Sequence, residues 1–368
     1  MSMTVKYLDL PRQFQDEELF RLIRSQFERC QFVMGPEVEE FEARFAVLCG
    51  VPHALGLNSG TDAIFLALKA LGIGQGDEVI TVPNSFVATA GAIVAAGAKP
   101  VFVDVAADYN MDVTLIEGAI TPQTKVLLPV HLTGNPADMT VIMEIAREHK
   151  LFVIEDAAQA VTAAIDGKRV GSFGDAGAFS LHPLKNLNVS GDGGALTTGS
   201  ADLCEKVRML RNHGLKNRDE IGFFGYNSRL DTIQAIVANH VMKNVDAVTK
   251  TRQKNAAIYD EEFAGMEDHV VLPPRRADVK QVFHTYIIRA KNRPALIEHL
   301  AARGIETKVH YPMPIHLQRP CLQLGYKPGD FPECERQSAE ILSLPVHQHL
   351  EEKQIHYVAK EVKGFYNG

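Results

Sequence analysis

The chain has 368 residues, of which 46% are hydrophobic and 23% are charged, and its formal net charge is −7 at pH 7. This composition is typical of a globular protein that is long enough for two domains. The acidic balance offers no basic surface to a nucleic acid, and no apolar run approaches the roughly 20 residues of a membrane-spanning helix, so we expect neither partner.

Short apolar runs alternate with helical patterns between about residues 53 and 200. Helices are predicted over residues 61–71 and 139–149, where apolar side chains recur at helical spacing. Strands that are apolar on both faces and separated by helices predict a mostly parallel sheet covered on both sides. The predicted strands are residues 53–57, 78–82, 100–104, 126–131, 152–155, 178–181 and 194–197.

Long helical patterns dominate after residue 198, and a second unit begins near Lys254. We predict a large domain over residues 1–250, with an N-terminal arm, and a smaller C-terminal α+β domain over residues 251–368. The elements predicted here are helices over 201–212, 232–248, 294–303 and 351–366, and a strand over 286–289.

The cysteines and histidines follow no metal-binding or disulfide pattern. The five cysteines form neither a CxxC pair nor a regular framework, and no HExxH element occurs among the 14 histidines. We therefore predict no metal site. Scattered cysteines indicate a reducing environment, and residues 1–10 lack the apolar core of a signal peptide, so the sequence predicts a cytoplasmic location.

Lys185 and Asp156 are the residues that indicate a chemistry. Lys185 lies on a short segment between two predicted strands, and Asp156 follows the apolar strand 152–155. A pyridoxal phosphate site requires such a pair. The amine forms a Schiff base with the cofactor aldehyde, and the carboxylate keeps the pyridine nitrogen protonated so that the ring can take up electrons.

Each residue also has an ordinary structural explanation. Asp156 could cap a helix, and Lys185 could be a solvated loop lysine. Their placement at the ends of neighbouring predicted strands weakens both explanations, because open α/β sheets bind ligands at the carboxyl ends of their strands. We interpret the pair as a cofactor site.

Residues 58–62, Asn-Ser-Gly-Thr-Asp, follow a predicted strand and open a predicted helix. Free backbone N–H groups at a helix start, together with the hydroxyls of Ser59 and Thr61, predict a phosphate site. Simple N-capping by Ser59 is the alternative. The glycines of the run 191–194 fit either a tight turn or a close approach to a ligand.

Several ordered motifs in the chain resemble the DegT/DnrJ/EryC1/StrS family of sugar aminotransferases, and the resemblance covers nearly the whole sequence. It implies the aspartate aminotransferase fold, which is fold type I of the pyridoxal phosphate-dependent transferases. The motifs lie at residues 35–41, 58–62, 84–89, 130–139, 155–159, 179–195, 226–234, 310–318 and 324–332.

The resemblance also implies roles for individual residues. Lys185 holds the cofactor and moves the proton, while Asp156 pairs with the ring nitrogen. A neighbouring subunit would supply Asn227 to the phosphate, which implies a homodimer with shared active sites. The other implied cofactor contacts are Gln159 near the ring hydroxyl, Phe86 on the ring face, and Ser59, Gly60, Thr61 and Ser180 at the phosphate.

The expected activity is a ping-pong transfer of an amino group from glutamate to a nucleotide-linked keto-sugar. The motifs favour a 3-keto over a 4-keto sugar; a keto-cyclitol or another ketone is the alternative acceptor. Relatives with histidine at the position of Lys185 remove a hydroxyl, so the lysine favours transamination over a dehydratase. A non-catalytic, cofactor-sensing regulator is the alternative from another class. Candidate substrate contacts are His182, Arg229, His310 and His316.

Overall fold

The computed structural model describes residues 3–367. A seven-stranded sheet with the strand order β1-β9-β8-β5-β4-β2-β3 forms its centre. Two small three-stranded sheets, β10-β12-β13 and β11-β6-β7, accompany it. The strands are β1 (His53–Leu57), β2 (Glu78–Thr81), β3 (Lys99–Phe102), β4 (Thr124–Leu127), β5 (Phe152–Asp156), β6 (Ala164–Ile165), β7 (Lys168–Arg169), β8 (Ala176–Ser180), β9 (Gly194–Thr198), β10 (Val270–Val271), β11 (Val279–Lys280), β12 (Tyr286–Ala290) and β13 (Ile341–Leu344).

Helices connect and cover these strands. They are α1 (Leu10–Gln13), α2 (Glu17–Arg29), α3 (Pro36–Cys49), α4 (Gly60–Ala70), α5 (Val87–Ala96), α6 (Ile116–Ala119), α7 (Met139–His149), α8 (Ala201–Leu210), α9 (Thr232–Met242), α10 (Val245–Glu262), α11 (Arg293–Ala302), α12 (Arg319–Leu322), α13 (Pro332–Glu340) and α14 (Glu352–Asn367). Within the described residues, no helix is both long and apolar enough to cross a bilayer.

The predicted mostly parallel sheet is confirmed. Only β9 runs against its neighbours: it pairs antiparallel with both β1 and β8, while β5, β4, β2 and β3 continue in parallel from β8. Because β9 is antiparallel to both β1 and β8, these two strands run in the same direction. The carboxyl ends of β1, β8, β5, β4 and β2 therefore meet at one edge.

Apolar side chains alternate between two cores on the two faces of this sheet. Ala178 and Leu196 join the core that includes α4, α5 and α7, whereas Phe179 and Ala195 join the core that includes α3 and α9. The period of two along each strand sends successive side chains to opposite faces. This explains why the sequence of these strands is apolar throughout.

The predicted helix over residues 232–248 is wrong as a single element. Helix α9 ends at Met242, and α10 begins at Val245. Asn244, between them, has φ −113° and ψ 5°, which is outside the helical region. The apolar pattern continues across this break, so periodicity alone did not reveal it.

A third core forms the smaller C-terminal lobe around β12, β13, α11 and α14. Residue 250, the predicted boundary, lies inside α10, which extends from one lobe to the other. The N-terminal arm packs on the small lobe, because Val5 is fully buried in that core and pairs with Ile305. The division at residue 250 stays a prediction.

Candidate cofactor and active site

Four of the parallel strands deliver polar or aromatic residues to their common carboxyl edge. Asp156 ends β5, and the segment with Lys185 follows β8, the neighbouring strand. Thr133 follows β4, and Phe86 follows β2. Ligands bind at the carboxyl edge in open α/β sheets, and the candidate residues lie at that edge as predicted.

The Asp156 carboxylate is buried and held by two donors. The Thr89 hydroxyl donates to Oδ2 at 2.7 Å, and the Ala158 N–H donates to Oδ1 at 3.1 Å. Ser85 Oγ lies 2.7 Å from Thr89 Oγ1, and since Thr89 gives its proton to Asp156, Ser85 donates to Thr89. Burial raises the pKa of Asp156, while the Thr89 bond and the nearby Lys185 act in the opposite direction.

A second buried carboxylate fixes the strand end from the other face of the sheet. Glu155 is fully buried and accepts backbone N–H bonds from Gly171 at 2.7 Å, Phe173 at 2.8 Å and Gly174 at 2.9 Å. The His131 Nδ1 accepts from the Ala137 N–H at 3.0 Å, so its Nε2 carries the proton and donates to Glu155 at 3.1 Å. The backbone N–H of His131 donates to the backbone carbonyl of Asp156 at 3.0 Å. This bond connects the Glu155 cluster to the site.

Lys185 lies on the loop between β8 and β9 and is partly buried. Its backbone N–H closes a turn on the His182 carbonyl at 2.8 Å, which shapes the loop. Burial lowers the pKa of Lys185 to about 8, and the negative charge of Asp156 opposes this shift. An amine with a lowered pKa near neutrality is a nucleophile and a proton carrier.

The start of α4 offers donors at the same edge. Ser59 caps the helix, because its hydroxyl accepts the Asp62 N–H at 3.0 Å. The alternative explanation of Ser59 as an N-cap is therefore correct for its side chain. The N–H groups of Gly60 and Thr61 point out of the first turn, where the helix dipole favours an anion.

Glycines make room for this helix start. A Cβ on Gly60 would come within 2.9 Å of Ser180 Cβ, and a Cβ on Gly194 would lie 2.2 Å from the Ser59 carbonyl carbon. Gly194 pairs with both Leu57 and Ser180 in the sheet. Close approach to the backbone of Ser59 thus explains why residue 194 is a glycine. The short distance between Gly60 and Ser180 places Ser180 next to the N-terminus of α4.

Aromatic and amide groups border the opposite side of the site. The Phe86 side chain is 54% exposed, and its ring centroid lies 5.9 Å from that of Tyr311. Gln159 Nε2 donates to the Tyr311 hydroxyl at 3.3 Å, and Gln159 Oε1 accepts the Thr133 N–H at 2.7 Å. Tyr311 belongs to the loop after residue 305, so the C-terminal part of the chain reaches into the site.

The two candidates Asn227 and Arg229 lie on the segment after α8. The backbone of Asn227 pairs with Asn212, and Arg229 Nη1 donates to Asn212 Oδ1 at 3.0 Å. The side chain of Asn227 is exposed. The next residue, Ser228, accepts the Asn58 N–H at 3.4 Å, so this segment lies beside the start of α4.

The three candidate histidines differ in their surroundings. His182 is exposed, and burial and then Lys185 lower its pKa. His310 is partly buried, has its Nδ1 2.8 Å from Ser343 Oγ, and has a pKa lowered to about 4 by burial and by Lys185. The His316 side chain is fully buried, with Nε2 3.0 Å from Glu335 Oε1, which is the environment of a structural histidine.

Sequence reasoning did not assign Thr89, Tyr311 or the pair of His131 and Glu155. Thr89 and His131 lie within motifs that carry the family resemblance, and Tyr311 follows His310 directly. The only available signal was their position inside those motifs. Their hydrogen bonds to Asp156 and Gln159 depend on residues that are distant in the chain.

Pyridoxal phosphate fits the residues present. A buried carboxylate suits a cationic ring nitrogen, a partly buried amine of lowered pKa suits an aldehyde, and the helix start suits a phosphate. Asp156, Lys185 and Gly60 provide these three features at one sheet edge. The buried Asp156 has no ion pair with an arginine or lysine among residues 3–367, which leaves its negative charge available to a ligand.

Comparison with known proteins supports this assignment. Residues 13–363 match the DegT/DnrJ/EryC1/StrS aminotransferase family. A relative from Geobacillus stearothermophilus, named pleiotropic regulatory protein, is 43% identical, with 99% of each chain covered. Another, the dTDP-3-amino-3,4,6-trideoxy-alpha-D-glucose transaminase of Streptomyces venezuelae, is 42% identical, with 95% of this chain and 93% of that protein covered.

Solved structures agree in fold. That of S. venezuelae DesV in complex with a ketimine intermediate superposes with a TM-score of 0.96 at 41% identity, covering 99% of each chain. The Bacillus subtilis NtdA structure with bound cofactor PMP gives a TM-score of 0.92 at 31% identity, covering 99% of this chain and 86% of that one. The predicted fold type I and aminotransferase class are confirmed, and this chain belongs to the DegT/DnrJ/EryC1/StrS aminotransferase family.

Proposed function

We propose that this protein transfers an amino group from glutamate to a nucleotide-linked keto-sugar, with pyridoxal phosphate as its cofactor. The observation that carries the proposal is the placement of the low-pKa amine of Lys185 beside the buried carboxylate of Asp156 at one sheet edge. When bound, the cofactor supplies an electron sink that stabilises negative charge on the carbon bearing the amino group.

The residues of the chain then have separate tasks. Lys185 would hold the cofactor through its amine, and the same amine would move the proton at the reacting carbon of the substrate. Asp156 would pair with the ring nitrogen and favour its charged form, and Thr89 and the Ala158 N–H fix the two carboxylate oxygens of Asp156. Gln159 and Phe86 orient the ring, Gln159 through its bonds to Thr133 and Tyr311.

The phosphate would lie at the start of α4. We assign it the N–H groups of Gly60 and Thr61 and the hydroxyls of Thr61 and Ser180. The short distance between Gly60 and Ser180 supports this grouping, since a Cβ on Gly60 would lie only 2.9 Å from Ser180 Cβ. Ser59 contributes by capping the helix, which keeps its first turn and its free donors in place.

The acceptor that we propose carries its keto group at C3 of the sugar. The name of the S. venezuelae relative refers to a 3-amino sugar, and that relative is 42% identical over 353 residues. His182 and His310, both of lowered pKa and both near Lys185, are our candidates for contact with the sugar. Arg229 is assigned to the nucleotide side because it lies on the segment beside Asn58.

A panel of acceptors tests this assignment. The enzyme in its amino-loaded form would be mixed with nucleotide-linked 3-keto and 4-keto sugars and with a keto-cyclitol, and the products would be identified by NMR. We expect a new amine at C3, with return of the cofactor absorbance. Amination at C4 alone, or of the cyclitol alone, would contradict the proposed acceptor and leave the aminotransferase assignment in place.

We also propose a homodimer in which Asn227 completes the partner's site. The exposed apolar side chains around Asn227 support an interface, notably Phe224, which is 92% exposed, and Ile221, which is 50% exposed. Complementation tests the idea directly. Lys185→Ala and Asn227→Ala subunits, each inactive alone, should regain activity after mixing, because one site of the mixed dimer has both residues intact.

The outcome of mixing depends on whether Asn227 serves the site of its own chain or that of the partner subunit. If Asn227 served the site of its own chain, no site in the mixed dimer would be complete, and mixing would restore nothing. A monomeric protein at working concentration would likewise contradict the shared site.

We also retain in this proposal the division into two domains near residue 250. A cytoplasmic location belongs to the same proposal, and the five unpaired cysteines support it.

A regulatory role is the second candidate, because a relative that is 43% identical is named a pleiotropic regulatory protein. A regulator that only senses the cofactor needs no proton carrier. The lowered pKa of Lys185 and the supported carboxylate of Asp156 therefore favour the enzyme. Tight cofactor binding with no response to any amino donor would favour the regulator.

A further inference from the structure

A small cavity lies between the N-terminal arm, the lysine loop and the C-terminal lobe. Its volume is about 40 Å³, enough for a carboxylate group or one or two water molecules but far too small for a nucleotide. Its nine lining residues include Leu184, the neighbour of Lys185, and none of them is an aspartate or glutamate. The lining is therefore rich in donors and lacks a negative charge.

Unsatisfied polar atoms are concentrated at this cavity. Thr285 is 3% exposed, yet its hydroxyl has no hydrogen-bond partner, and the same holds for the His284 Nδ1. The Tyr7 hydroxyl lies beside the Ser343 hydroxyl, which is itself bonded to His310 Nδ1 at 2.8 Å. A buried polar atom without a partner costs about 1–3 kcal/mol, so a group that satisfies several at once is expected here.

The cavity also contains a buried cation without a counterion. Arg252 is 2% exposed, and its guanidinium donates to Gln348 Oε1 at 3.2 Å and to the carbonyls of Phe283 at 3.1 Å and His284 at 3.2 Å. None of these acceptors is charged, and no carboxylate of residues 3–367 pairs with it. Burial accordingly lowers the pKa of Arg252 to about 10. A buried cation of this kind is strongly stabilised by an anion.

From these contacts we propose that the cavity binds the α-carboxylate of the amino donor, through Arg252, Thr285 and Tyr7. This inference rests on the proposed function. The planar fork of a guanidinium matches a carboxylate, and hydroxyl groups provide further donors. The α-carboxylate is the group of an amino acid nearest to its reacting carbon. Its site must therefore lie near Lys185, and two residues that line this cavity, His284 and His310, are close enough to feel the charge of Lys185.

Thr285→Val is the most informative variant. It replaces a hydroxyl that has no partner in the protein with a methyl group of similar size, so folding is preserved. Arg252→Lys is less suitable, because Arg252 also holds the carbonyls of Phe283 and His284. Tyr109→Phe is the matched control: the Tyr109 hydroxyl is likewise buried and unpartnered but does not line the cavity.

The assay follows the visible absorbance of the holoenzyme on addition of glutamate. We expect Thr285→Val to raise the half-saturating glutamate concentration at least tenfold, as befits a lost bond to a charged group, with the limiting rate within about twofold of wild type. Tyr109→Phe should leave both quantities unchanged. Equal half-saturating concentrations in the two variants would overturn the inference.

A wild-type enzyme that does not respond to glutamate would refute the proposed donor, and acetate would then decide the question of the cavity. Acetate should raise the thermal midpoint of the wild-type and Tyr109→Phe holoenzymes more than that of Thr285→Val, at equal ionic strength. That result would support the cavity as a carboxylate site and leave the identity of the amino donor open. No midpoint shift, or an equal shift in all three proteins, would overturn the cavity as an anion site.

Discussion

The hydroxyl of Thr89 is expected to control the charge of Asp156. It donates to Asp156 Oδ2 at 2.7 Å from the first turn of α5, and Ser85 supports it at 2.7 Å. Burial disfavours the carboxylate form of Asp156 and raises its pKa, and the bonds from Thr89 and from the Ala158 N–H oppose this shift. Thr89→Val removes this donor and nearly conserves the side-chain volume.

The size of the effect follows from the hydrogen bond. A bond to a charged group contributes about 1.5–3 kcal/mol, and 1.36 kcal/mol corresponds to one pH unit of titration. The pKa of Asp156 must rise when the bond is lost, because the bond favours the charged form. The acid limb of the rate profile should therefore move about 1–2 pH units toward higher pH, and the rate should recover on the alkaline side.

The assay is the rate of the glutamate half-reaction between pH 5 and pH 9. The control is Thr249→Val, which also removes a buried helical hydroxyl, one that lies 2.9 Å from Thr162 Oγ1 and makes no contact with Asp156. We expect the control to leave the acid limb in place. A profile of Thr89→Val that is lowered equally at every pH would refute the reasoning, because general damage changes the height and not the midpoint.

Two further predictions concern the lysine and the helix start. The amine of Lys185 in cofactor-free protein should react with an acetylating reagent above a midpoint of about pH 8, as read by mass spectrometry, because burial depresses its pKa and only the neutral amine is nucleophilic. A midpoint near that of exposed lysines, about 10.4, would contradict the burial argument. Gly194→Ala should destabilise the protein by about 1–3 kcal/mol and weaken cofactor binding, because its Cβ would lie 2.3 Å from the Ser59 carbonyl oxygen. Gly199→Ala is its control, since a Cβ there meets nothing within 4 Å; urea titration and cofactor dissociation measure both effects.

The sheet and the central pair could be predicted because their signals are local. The strands that end at Asp156 and Ser180 are short, apolar and bounded by turn residues, and their order along the chain predicts a parallel sheet. The carboxyl ends of such strands share an edge, so the meeting of Lys185 and Asp156 follows from the alternation of elements. Family resemblance then assigned the remaining cofactor contacts.

The rest depends on contacts that no local pattern encodes. Thr89 is one of several threonines in apolar surroundings, and only the folded chain brings it to Asp156, 67 residues away. Tyr311 reaches Gln159 across a separation of 152 residues. The cavity lined by Tyr7, Arg252 and Thr285 joins three distant parts of the chain, and its unsatisfied atoms are a property of packing alone.

The visible absorption spectrum of the purified protein with and without glutamate tests the central claim most directly. We predict an absorption band of lysine-bound pyridoxal phosphate that glutamate abolishes in the wild type and that is absent in Lys185→Ala. Loss of the band on addition of glutamate would establish the donor half of the reaction and the role of Lys185. A band that persists in Lys185→Ala, or no band in protein supplied with the cofactor, would contradict the assignment of the site.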